Sequence, residues 1–95
     1  MQRIQHYQPP TTEDLAQLKA QLKAAGMKAT ADEMASLAGL SDGRQWRKYT
    51  GGAQPRELGA QMLFFIAARL TLPEDQLEPI YAKMREIGAT LDLEG

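Results

Sequence analysis

The chain has 95 residues, no cysteine, 43% hydrophobic and 24% charged residues, and a formal net charge of -1. Such a length predicts one domain with one modest core, and the balance is that of a globular chain and excludes a disordered one. Absence of cysteine excludes a disulfide framework, a thiolate zinc site and a cysteine nucleophile and fits a cytoplasmic location, while the longest apolar run, Met62 to Ala68, is far below the roughly 18 residues of a membrane span.

Met1-Gln2-Arg3 opens a polar stretch without the apolar core of a signal peptide. Residues 1–10 end in Pro9-Pro10 and read as an extended arm. A first helix is predicted from Thr11 or Thr12, a hydroxyl cap with Glu13 and Asp14 in the first turn, where the helix dipole favours negative charge. Leu15, Leu18 and Leu22 fall on one helical face. Gly26 ends the helix, and Met27 is expected to turn back into the core.

Thr30-x-x-Glu33 is a capping box and opens a second, short helix with Met34, Leu37 and Ala38 inward, stopped by Gly39. A third helix follows from Asp42 to Tyr49, with Trp46 and Tyr49 on one side and Arg44, Arg47 and Lys48 on others; Gly51-Gly52 closes it. Pro55 suits the first turn of a fourth helix reaching about Leu70. Its middle is apolar on every face, so a fifth helix or a second chain must cover the side away from the core. A last helix is expected from about Glu74 to Ile87, kinked at Pro79 or beginning only near Glu78. Residues 89–95 form a short acidic tail. Valine does not occur and no segment alternates apolar with polar residues over more than a few positions. The expectation is therefore an all-α domain over residues 11–88.

Charge is unevenly spread. Residues 41–56 carry Arg44, Arg47, Lys48 and Arg56 against Asp42, a local +3, whereas residues 72–95 sum to -4. An anionic partner responds to this local potential more than to the total. Catalysis has little support. His6, the one histidine, lies in the arm without a positional partner, and Asp32-Glu33 and Glu74-Asp75 are explained as first-turn charges. No glycine-rich loop joins a strand to a helix. The expectation is no enzyme, no cofactor and no metal.

The informative stretch is Thr30 to Tyr49: two short helices, a tight turn carrying Gly39, Leu40, then Ser41 as the expected cap of the next helix. This is a helix-turn-helix pattern. The exposed face of its second helix offers Arg44, Gln45, Arg47 and Lys48, residue types that can pair with guanine or adenine edges in a major groove.

Residues 12 to about 78 resemble the lambda-repressor and Cro type of helix-turn-helix domain, a five-helix DNA-binding fold. The resemblance rests on Thr30 through Ser41, on Trp46 and Tyr49 three apart, and on Gly52, Pro55 and the apolar fourth helix ending Ala67-Ala68-Arg69-Leu70. It implies that Trp46 and Tyr49 anchor the recognition helix, and that Gly43, Arg44, Gln45, Arg47 and Lys48 are the base-reading positions. It also implies that Arg56, just inside the fourth helix, binds the phosphate backbone, with Lys28, Thr30 and Thr50 assigned beside it. The chain departs from the pattern at Lys28-Ala29, which lengthens the preceding loop, and at Ala31, where glutamine is frequent. The turn before the third helix is one residue longer, and Gly43 weakens that helix's start by roughly 1 kcal/mol relative to alanine.

The expected function is a bacterial or phage-type transcriptional regulator that binds a palindromic operator in double-stranded DNA as a homodimer. The dimer would form through Leu77, Ile80, Tyr81 and Met84, assisted by the end of the fourth helix. The alternative is an antitoxin-like interaction subunit on the same scaffold, with a protein partner on the acidic last helix. No membrane partner is expected.

Overall fold

Thr11 begins the ordered helical body by closing a reciprocal capping box: its hydroxyl accepts from the Asp14 amide at 3.1 Å, and the Asp14 carboxylate accepts from the Thr11 amide at 2.8 Å. The computed structural model describes residues 1–93. Glu94 and Gly95, the end of the predicted acidic tail, lie outside the described residues. Five helices follow in order: α1 Thr12–Ala24, α2 Ala31–Ala38, α3 Gly43–Thr50, α4 Ala60–Thr71 and α5 Glu74–Ile87. Among the described residues there is no strand, so the all-α expectation stands.

The core is one cluster holding Leu15 of α1, Met34, Ala35 and Ala38 of α2, Trp46 of α3 and Ile66 of α4, with Ala29 and Leu58 from loops. Leu18, Leu22 and Leu37 pack at its edge. Met27 corrects the expectation: it is 49% exposed, and Ala29 enters the core instead. The turn at Gly26 (φ +87°) is closed by the Met27 amide bonding to the Leu22 carbonyl, which leaves the methionine side chain outside. Ala29 and Met34 then hold the positions of a hydrophobic staple around the Thr30 cap. Of the predicted capping box at Thr30, the half in which its hydroxyl accepts from the Glu33 amide forms, at 3.2 Å.

Gly39 ends α2 in the left-handed region (φ 77°), and the Leu40 amide reaches back to the Ala35 carbonyl at 2.8 Å. Two further end carbonyls, of Ser36 and Leu37, accept from Arg69 of α4 at 2.7 and 2.9 Å. Sequence distance alone hid this cap, since Arg69 lies 33 residues from Ser36.

The fourth helix starts at Ala60, not near Pro55. Residues 51–59 form an irregular loop pinned by the buried Leu58. In a helix from Pro55, the Leu58 carbonyl would be taken by the amide four residues on. It is taken by the Tyr7 hydroxyl instead, and Gly59 is a poor residue for a helix interior. The last helix has the expected span: α5 runs from Glu74 through Pro79 to Ile87 and does not begin near Glu78. Asp75, whose carbonyl loses its partner to the proline, is exposed, as is Pro79 itself, so water can satisfy that oxygen.

Only Leu77 of α5 is buried. The radius of gyration is 14.4 Å, against about 12 Å for a compact chain of this length. The excess reflects an arm and a last helix that sit beside the core rather than within it. No helix among the described residues is long and apolar enough to cross a membrane.

Candidate nucleic-acid interface

The orientation of α3 follows from its two aromatic residues. Trp46 is 4% exposed and belongs to the core. Tyr49, three residues on, is half-buried, with ring centroids 6.4 Å apart. With that face fixed inward, Arg44, Arg47 and Lys48 are left exposed. The Arg44 side chain is 85% exposed and only loosely paired with Asp42, at 3.9 Å. Gln45 is half-buried.

Gly43 does not belong to the exposed face. It is buried, and its amide donates to the Asp32 carboxylate at 2.8 Å. A Cβ there would lie 2.7 Å from that oxygen and 2.9 Å from the Ala31 Cβ. The start of α3 therefore approaches α2 too closely for any side chain, which removes Gly43 from the base-reading set and explains the glycine. Asp42, not the expected Ser41, caps the same helix by accepting from the Gln45 amide at 3.1 Å.

The predicted backbone-contacting residues divide by surroundings. Lys28 and Arg56 are exposed. Thr30 is exposed, but its hydroxyl is already engaged in capping α2, and Thr50 is half-buried at the end of α3. Arg56 lies in the 51–59 loop rather than in a helix; its amide donates to the Lys48 carbonyl at 2.7 Å. Two hydrogen bonds thus flank α3. The Asp32–Gly43 bond sets the start of α2, with Thr30 and Lys28 before it, beside the start of α3. The Arg56–Lys48 bond sets Arg56 beside its end. Opposing charge is close at hand in Asp42 and Glu57, but Asp32 and Asp42 are engaged by amides.

The predicted interface on α5 is only partly exposed. Ile80 and Met84 are each exposed and Tyr81 is half-buried, whereas Leu77 is buried within the chain and is removed from the set. Ile87 on α5 and Phe64 on α4, at 79% and 68%, are more exposed than any of these. Sequence reasoning left Phe64 unassigned because α4 is apolar all round; its burial depends on where neighbouring helices stop. His6 is exposed in the arm, and among the described residues no group of three or more histidine, cysteine or acidic side chains could hold a metal ion.

No family model matches this chain, and neither a curated protein nor a solved structure is significantly similar to it.

Proposed function

We propose that the protein binds double-stranded DNA by placing α3 in the major groove, as a small transcriptional regulator of the lambda-repressor and Cro type. The observation that supports this is the burial of Trp46, which turns Arg44, Arg47 and Lys48 outward together on a short helix packed across α2. Arg44, Gln45, Arg47 and Lys48 read base edges; Arg56 and Lys28 contact phosphates, with Thr50 and the start of α2 at Thr30 beside them. The small positive patch would act twice in a homodimer on a palindromic site, with recognition helices about 34–36 Å apart. The second copy would cover Ile80, Tyr81 and Met84, which also keeps acidic α5 away from the phosphates.

Selection from a pool of random duplexes tests the proposal. Enrichment of one palindromic sequence is the expected result; retention of no duplex at low salt contradicts it. One observation favours a second reading, a protein-interaction subunit: α5 combines exposed Ile80, Met84 and Ile87 with Glu74, Asp75, Glu78 and Glu86. That reading predicts a protein partner for α5 without salt-sensitive DNA binding.

A further inference from the structure

We propose that residues 7–11 are a strap that holds Arg56 in register with α3, with Tyr7 as the positioning residue; this deepens and rests on the DNA-binding reading above. The loop that carries Arg56 has little of its own to order it. Residues 51–57 are all exposed, and Gly52 sits at φ +89°. Beyond the Gly51 amide that caps α3 on the Arg47 carbonyl, one backbone bond ties the loop to α3, from the Arg56 amide to the Lys48 carbonyl at 2.7 Å. That carbonyl belongs to the last turn of α3, where helix carbonyls need outside partners.

The second tie comes from the opposite end of the sequence. The Tyr7 hydroxyl donates to the carbonyl of Leu58, two residues beyond Arg56, across 51 positions of chain. Leu58 is itself buried in the core. From Tyr7 the chain passes through half-buried Pro9 and Pro10, whose ring-fixed φ angles stiffen it. It ends at Thr11, locked to α1 by the reciprocal cap with Asp14. Pro9, Pro10 and Tyr49 line a shallow cleft of about 200 Å³ together with Pro55 and Arg56.

Arg56 is therefore held on both sides by its backbone: directly to α3, and through Leu58 to the strap. An arginine on a fixed backbone orders only its side chain when it meets a phosphate. On a loose loop, backbone freedom must be lost as well. The Tyr7 hydroxyl thus contributes to DNA affinity without touching DNA, and it acts only through Arg56.

A double-mutant cycle on the full chain tests this, with Tyr7→Phe, Arg56→Ala and the double variant. Affinity for a short fluorescent random-sequence duplex is measured across a salt series. Tyr7→Phe should weaken binding roughly fivefold to thirtyfold, the equivalent of ordering one backbone residue, and should lower the salt slope by up to about one. In the Arg56→Ala background it should change neither. Hydrogen exchange without DNA gives an independent readout: the Arg56 amide should exchange faster in Tyr7→Phe while core amides of α2 are unaltered. Unchanged affinity and exchange in Tyr7→Phe overturns the proposal, as does an equal loss in both backgrounds, which would mark a general stability effect. A wild-type chain that binds no duplex overturns the DNA-binding reading, and the positioning role falls with it.

Discussion

The Asp32 carboxylate accepts the Gly43 amide at 2.8 Å and fills the space in which a Gly43 Cβ would have to sit. One acidic side chain in the first turn of α2 thereby sets how closely the start of α3 approaches it. Helix propensity alone favours alanine over glycine at Gly43 by about 1 kcal/mol. Overpacking against Asp32 and Ala31 opposes it by about 1–3 kcal/mol, and displacement of a charge-assisted hydrogen bond adds a further loss of about 1.5–3 kcal/mol. Gly43→Ala should therefore lower stability by about 1.5–5 kcal/mol net, read as a lower urea midpoint at unchanged m-value. A stabilised variant would show that the close approach is not maintained.

The cap on α2 provides a second expectation. Arg69 donates to the carbonyls of Ser36 and Leu37 while its guanidinium lies 5.1 Å from the Phe65 ring centroid. Hydrogen bonds involving a charged donor are worth about 1.5–3 kcal/mol, reduced here because Arg69 is only half-buried. Arg69→Ala should lose roughly 2 kcal/mol in chemical denaturation. Arg69→Lys should recover part of that loss, because lysine keeps the charge without the planar fork.

Trp46 should behave as a core anchor and not as a base-stacking residue. Trp46→Ala should lose about 3–5 kcal/mol of stability, the range for deleting a large buried aromatic side chain. Calorimetry of the variant checks this. An unchanged melting temperature combined with weakened DNA binding would place the ring on the nucleic-acid face.

Much of the fold is legible where a local signal is enough. Thr11 and Thr30 mark helix starts, and Gly39 and Gly88 mark ends, because capping and left-handed turns depend on residues within a few positions. The inward set Leu15, Met34, Ala38 and Trp46 follows from helical spacing. What is illegible depends on partners distant in sequence. The Tyr7 hydroxyl on the Leu58 carbonyl, Asp32 against the glycine at position 43, and Arg69 on the end of α2 each join residues far apart in the chain. The basic face of α3 is readable from its spacing to Trp46; the division between exposed Arg44 and buried Gly43 is not, since it depends on how near α2 comes.

The exposed apolar surface on α5 leads to an oligomerisation test. Met84 and Ile80 are each 43% exposed, and they are the residues that the proposed homodimer would cover. Sedimentation at micromolar concentration should show a dimer for the wild-type chain and a monomer for Met84→Glu, whose circular dichroism should be unchanged. A monomeric wild-type chain would remove the palindromic-site component of the proposal and leave single-site binding.

The most direct measurement of DNA binding by α3 is duplex affinity against salt for the wild-type chain and for Arg47→Ala and Arg56→Ala. Each phosphate neutralised contributes about -0.9 to the slope of log affinity against log salt. The wild-type slope should be steeply negative. Arg56→Ala should make it shallower by about one and weaken all sequences alike, while Arg47→Ala should weaken the selected sequence more than random duplex, by roughly 1–3 kcal/mol. A wild-type affinity that is undetectable at low salt, or indifferent to salt and to both substitutions, would contradict a DNA-reading role for α3.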